Sequence, residues 1–223
     1  MINYEKQEYA NILALLTAED FAEKKMVLEN VCRAFDRAEV TWALAMSSCL
    51  FFRGIMDDFN DIDILIALED VEEFEIVFRK LGGKIDNNTV QKPAFTSPYY
   101  KEATFGGMHF DLIGNMTVNT YGTVYQYVLK QQDVEYLTID GDVNIPLSPV
   151  EANFLLYGMM EGWQTRRRFK KDLCFQFLKE KGLAHPEVFE RLLNGQKLLN
   201  QKTGKFEFNS VSFELLAKIE QLK

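Results

Sequence analysis

Trp42-Ala-Leu-Ala-Met-Ser-Ser-Cys-Leu-Phe-Phe-Arg-Gly-Ile-Met-Asp-Asp-Phe-Asn-Asp-Ile-Asp-Ile-Leu-Ile-Ala-Leu68 is the stretch that decides how this chain is read. At its centre Asp61-Ile62-Asp63 runs into Ile64, Leu65 and Ile66. These are β-forming neighbours, and strand alternation puts Asp61 and Asp63 on one face with Ile62 and Ile64 on the other. Two carboxylates held about 4 Å apart repel by on the order of 4 kcal/mol at an effective dielectric of about 20. A fold tolerates the pair on a solvated edge strand, or where a cation sits between the acids. The second arrangement is a divalent-metal site.

The strand has a partner upstream. Residues 40–45 are β-prone, and Ser47-Ser48 then opens a helix through Cys49, Leu50, Phe51 and Phe52, stopped by an αL glycine at Gly54. Residues 57–60 form a loop before the strand. A helix over residues 70–81 follows, capped by Asp70 and ended by Gly82-Gly83. Strand, short helix, strand, helix specifies a mixed α/β core rather than a bundle. Upstream, residues 5–17 and 19–36 read as two helices divided at Thr17, whose Thr-Ala-Glu-Asp has the form of a capping box.

Downstream, residues 99–104 and 108–113 flank Phe105-Gly106-Gly107 as a β-hairpin, and residues 134–139 and 143–145 form another around Asp140-Gly141-Asp142. In the first hairpin's second strand Met108, Phe110 and Leu112 share one face and His109, Asp111 and Ile113 the other. Asp111 is therefore an acid on an otherwise apolar strand, whereas His109 reads as a packed strand residue. From Ser148-Pro149-Val150-Glu151, an N-terminal capping pattern, the chain turns helical over residues 149–162, 165–181, 186–194 and 211–222.

The whole chain has 223 residues, 47% of them hydrophobic and 26% charged, which fits a globular protein and excludes a disordered one. Its net charge is −8, so any nucleic-acid contact has to use a local basic patch. The three cysteines, Cys32, Cys49 and Cys174, match no zinc spacing and read as reduced core thiols. With no signal peptide and no apolar run of membrane length, a cytoplasmic protein without a membrane partner is expected.

The spacing carries the chemistry. A helix start presents free N–H groups to phosphate oxygens, which makes Ser47 and Ser48 candidate nucleotide contacts. Asp61, Asp63 and Asp111 converging beside it would hold Mg2+ (or Mn2+), ions that prefer carboxylates plus substrate phosphates. The run from Arg166 to Lys171 holds five of the 25 basic residues. On a helix, Phe169, Leu173 and Phe177 form the expected buried stripe. Arg167 and Lys171 then stand outward, either as counter-charges for a nucleotide or RNA or as a solvated face with an Arg168–Asp172 pair.

Residues 43–68 resemble the signature of the nucleotidyltransferase fold superfamily, related to polymerase β. That signature is an apolar strand, a Gly-Gly or Gly-Ser pair opening a helix, two alternating aspartates on the next strand and a third on a later one. The likeness is strongest to the small bacterial branch containing antibiotic (lincosamide and aminoglycoside) nucleotidyltransferases and AbiEii/MenT-type toxins. There the helix often reads Leu-Ala-Leu-Ala-Leu-x-Gly, here Ser48-Cys49-Leu50-Phe51-Phe52-Arg53-Gly54. Residues 146–172 are similar to the downstream helix pair, whose second helix carries basic residues followed by Lys-Asp, here Lys171-Asp172. The resemblance implies that Asp61 and Asp63 ligate metal, that Asp111 completes a second metal site and helps deprotonate an acceptor hydroxyl, and that Ser47 contacts the triphosphate. Two positions depart from the pattern: Met46 replaces the first glycine, and Met56-Asp57-Asp58-Phe59-Asn60 is acidic where relatives carry Arg, Thr or Lys.

The expected architecture is an α/β (α+β) nucleotidyltransferase-like mixed-sheet core with its N-terminal helical pair over residues 1–147, and a helical domain over residues 148–223. The expected activity moves a nucleoside monophosphate from an NTP to a small molecule, RNA or protein. A homo-oligomer is left open. The alternative is a catalytically degenerate binding module of the same fold that acts through partners.

Overall fold

The computed structural model describes residues 19–88, 95–120, 123–160, 165–194 and 213–222. The helix expected over residues 5–17, the cap at Thr17 and the link over residues 204–210 lie outside them. The chain divides into two compact units. One holds the described residues up to 88 together with Tyr99–Gly114 and Leu129–Ser148, and the other holds the remainder.

Alternating apolar runs set the elements of the first unit. They are α1 (Glu19–Phe35), β1 (Trp42–Ala45), α2 (Met46–Phe52), β2 (Ile62–Ile66), a 3-10 turn (Leu68–Asp70), α3 (Val71–Lys80) and β3 (Lys84–Ile85). After β4 (Phe95–Thr96), which belongs to the second unit, come β5 (Tyr99–Phe105), β6 (Met108–Gly114), β9 (Glu135–Ile139) and β10 (Val143–Leu147). They build a seven-stranded mixed sheet in the order β3-β5-β6-β2-β1-β10-β9. The β1/β10 and β2/β6 pairs are parallel and the other neighbours antiparallel. Ile62, Ile64 and Ile66 of β2 and Phe110 and Leu112 of β6 pack in one core cluster with Val27, Val31 and Phe35 of α1 and Phe74 and Phe78 of α3. Aromatic rings carry this contact from helix to sheet: Phe35 stacks on Phe74 at 4.2 Å, and Phe78 meets Phe110 edge-on at 5.2 Å.

Asp70, expected to cap the helix after β2, instead accepts the backbone N–H of Thr41 at 2.8 Å. The carboxylate thereby ties the start of α3 to the start of β1, and the chain enters the helix through the 3-10 turn. Cys32, Cys49 and Cys174 are buried and form no disulfide. Among the described residues no helix is long and apolar enough to cross a membrane.

The second unit holds a three-stranded antiparallel sheet, β4-β7-β8, with β7 (Met116–Thr120) and β8 (Thr123–Tyr127), which the sequence reading left unassigned. It also holds α4 (Val150–Met160), α5 (Thr165–Lys181), α6 (Pro186–Asn194) and α7 (Phe213–Leu222). Every residue of α4 is buried. Glu151, expected to close the cap of its own helix, is directed to the backbone N–H groups of Ala184 and His185 at 2.7 and 2.8 Å. Gly158 lets α7 approach, since a Cβ there would lie 2.6 Å from Leu215.

The buried stripe of α5 is not the one expected. Phe169 is 63% exposed, whereas Lys171, Cys174, Phe175 and Leu178 face inward at helical spacing, with Lys171 0% exposed. The reason is α7, where Glu214 accepts a hydrogen bond from Lys171 Nζ at 3.0 Å, so the long stem packs inside while its ammonium stays paired. This hydrogen bond is the main reason the Glu214 carboxyl lies below its usual range. A lowered folded-state pKa contributes stability above the unfolded glutamate value of about 4.3, and that stability is lost as pH falls through the folded value. The melting-temperature advantage of the parent over Lys171→Met should therefore shrink between pH 7 and pH 3. An advantage that stays constant over that range would reject the pair as its source.

Candidate active site

The sheet register assembles the acidic cluster. Ala45 at the end of β1 lies opposite Asp63 of β2, Asp63 lies opposite Asp111 of β6, and Asp111 lies opposite Glu102 of β5. Paired positions share a face, so one row crosses four strands as Ala, Asp, Asp, Glu. The isoleucines on either side of Asp63 go into the core on the opposite face. Asp61 is exposed in a bend one residue before β2 begins, outside the strand whose alternation was expected to place it. The structure thus brings Asp63 and Asp111 together as neighbours and leaves Asp61 in the bend that precedes β2.

Three residues that the sequence reading did not select complete the surroundings. Tyr100 is buried and donates its hydroxyl to Asp111 Oδ2 at 2.9 Å. Burial, then the nearby Asp111 charge and this hydrogen bond, push the Tyr100 pKa up, so the phenol stays protonated and remains a donor. His109 is a correction: its side chain is 41% exposed rather than packed, and its Nε2 lies 3.4 Å from Asp111 Oδ1. Glu102, His109 and Asp111 each offer a ligand atom within 4.8 Å of the others. Lys101, the residue before Glu102 on β5, belongs to the opposite face, where it pairs with Glu75 at 2.6 Å. The signal that would have found Glu102 is the turn: Gly106 and Gly107 both have positive φ, at 57° and 79°, the requirement of a two-residue type I′ hairpin. That turn sets Phe105 opposite Met108, and counting back places Glu102 opposite Asp111.

At the start of α2, Met46 has φ 51°, in the left-handed region that favours glycine. The departure from the family pattern therefore falls where the backbone itself asks for glycine. Ser48 is buried and donates its hydroxyl to the Ala45 carbonyl at 2.9 Å, which holds the strand-to-helix junction. Ser47 is half-buried beside it. Asp58 in the acidic loop is paired with Lys24 at 2.7 Å, so its charge is balanced within the fold. Arg167 and Lys171 lie on α5 of the second unit, where Lys171 is engaged with Glu214.

No protein-family model matches this chain, and no curated protein matches it in sequence. Solved structures do match in fold. A crystal structure of a Thermotoga maritima protein assigned as a nucleotidyltransferase aligns with a TM-score of 0.50 and 17% identity, covering 76% of this chain and 97% of its own. The solution structure of the antibiotic-resistance factor ANT(2'')-Ia aligns with 0.51 and 15% identity, covering 70% of this chain and 85% of its own. The chain has the nucleotidyltransferase fold, as residues 43–68 led us to expect.

Two substitutions test this geometry. Left-handed backbone at a non-glycine residue costs about 1–2 kcal/mol, and a buried methionine contributes about 1.5–3 kcal/mol. Met46→Gly relieves the first and loses the second, whereas Met46→Ala only loses. Glycine should therefore be the more stable of the two variants by roughly 1 kcal/mol, reversing the usual helix ranking; urea denaturation showing alanine ahead would reject the strained junction. Asp63→Asn should leave the metal-free protein no less stable, because it relieves repulsion with Asp111. It should also diminish the rise in melting temperature on adding Mg2+, and an undiminished rise would remove Asp63 from the metal site.

Proposed function

We propose that this chain is a metal-dependent nucleotidyltransferase that moves a nucleoside monophosphate from an NTP to an acceptor hydroxyl or phosphate and releases pyrophosphate. The observation that carries the proposal is the parallel register of β2 and β6, which sets Asp63 beside Asp111 next to the β1–α2 junction. Like-charged residues facing each other across strands destabilise a sheet, and two carboxylates so placed suit a hard divalent cation with oxygen ligands. Asp61, Asp63 and Asp111 are the residues that would hold Mg2+ or Mn2+. When bound, such an ion neutralises charge on the phosphate oxygens.

The chain's own groups divide the remaining work. Tyr100 fixes the Asp111 carboxylate, and Ser47 is offered to the triphosphate at the junction that Ser48 holds. The acceptor oxygen attacks the α-phosphorus and the bond to the oxygen bridging the β-phosphate breaks. Pyrophosphate leaves with those electrons, and the hydroxyl proton passes to Asp111.

The test is incubation of the whole chain with each α-labelled NTP, Mg2+ or Mn2+, and panels of small-molecule hydroxyl acceptors and RNA. Label should move to an acceptor with stoichiometric pyrophosphate release, and Asp63→Asn and Asp111→Asn should each lower the rate by on the order of a hundredfold or more. Nucleotide that binds but is never transferred to any acceptor would overturn the enzyme reading in favour of a binding module.

A further inference from the structure

We propose that Glu102, His109 and Asp111 form a mixed imidazole–carboxylate metal site that takes a first-row transition-metal ion in preference to Mg2+. The site shares Asp111 with the transfer reading but does not depend on it, because it is defined on the β5–β6 hairpin without nucleotide.

The donor set argues for this choice. Mg2+ selects oxygen ligands and near-ideal octahedral geometry, whereas an imidazole beside carboxylates suits Zn2+, Fe2+ or Ni2+, for which Mn2+, a first-row ion at the weak-binding end of the same series, serves as the paramagnetic probe. The spacing argues for a site rather than a loose acidic patch. Ligands at metal–oxygen distances of about 2.1 Å sit roughly 3 Å apart when adjacent and about 4.2 Å apart when opposite. The three ligand atoms already lie within 4.8 Å of one another, so small side-chain movements close them on an ion.

Orientation is the second, independent observation. A metal-ligating group is usually fixed by an outer hydrogen bond, and the buried Tyr100 hydroxyl supplies one by holding Asp111 Oδ2 at 2.9 Å. The carboxylate's other oxygen then lies 3.4 Å from His109 Nε2. Register fixes the rest, since Glu102 is directly opposite Asp111 on a hairpin whose two-residue turn permits no slip.

The experiment uses Mn2+ with the full chain and no nucleotide. Pulsed electron paramagnetic resonance of bound Mn2+ should show modulation from a coordinated imidazole nitrogen, and His109→Gln should abolish it. Equilibrium dialysis should show Mn2+ affinity falling about tenfold or more in His109→Gln and in Glu102→Gln, and by about tenfold in Tyr100→Phe. Mg2+ affinity in the His109→Gln variant should change by less than about threefold, because Mg2+ uses the aspartates alone. The partial exposure of His109 makes that variant a mild one for folding, and Glu102→Gln is a second, independent probe. Absence of nitrogen modulation in the parent, or equal losses of Mn2+ and Mg2+ in His109→Gln, would overturn the proposal while leaving the transfer assay untouched.

Discussion

The pairing of β2 with β6 is the constraint on which the site depends, and it is fixed from the side opposite the acids. A one-residue slip would turn Asp63 or Asp111 into the cluster of Ile62, Ile64, Phe110 and Leu112. Burying an ionised carboxylate there costs several kcal/mol even after relaxation, whereas like charges directly opposite on neighbouring strands destabilise a sheet by only about 1 kcal/mol or less. The core therefore wins, and the repulsion is borne by the site.

The strand-to-helix junction beside the acids is fixed at both ends by polar contacts rather than by helix length. Ser48 binds back to Ala45 at its start. At its end Arg53 is buried, reaches Glu135 at 3.1 Å and donates to the Ser148 carbonyl at 2.7 Å, which ties α2 to β9 and to the residue after β10. Removing one member of such a buried pair typically costs about 3–5 kcal/mol. Against that, a left-handed Met46 is a small local strain. The anchoring explains how a seven-residue helix keeps a non-glycine residue in a glycine conformation beside the site.

Strong local patterns were legible in the sequence and long-range choices were less so. The isoleucines around Asp63, the glycines at 54, 82 and 106–107 and the outlier Asp111 carried the order of elements in the first unit. Helix faces were harder, as α5 shows. Phe169 looks like a core residue by type, but the helix buries Lys171 because a partner some 43 positions away at Glu214 satisfies its charge. The strands β7 and β8 went unassigned because Thr, Asn and Gln interrupt their alternation. Within the site the aspartates announced themselves as acids on apolar strands, whereas Glu102 sits in a strand that also carries Lys101 and gains meaning only from the hairpin register.

The two-residue turn at Gly106-Gly107 has a kinetic consequence. A hairpin closed by so short a loop forms in about 1–10 μs, whereas Asp63 must find Asp111 across 48 positions of chain (111 − 63), and distant pairings close late. Glu102, His109 and Asp111 therefore come together before the row of acids is complete. On the proposed metal reading, a cation captured by the hairpin at that stage would turn the approach of Asp63 from repulsive to attractive, so that metal supply during folding would influence how fast β2 docks as well as how tightly the finished protein holds it.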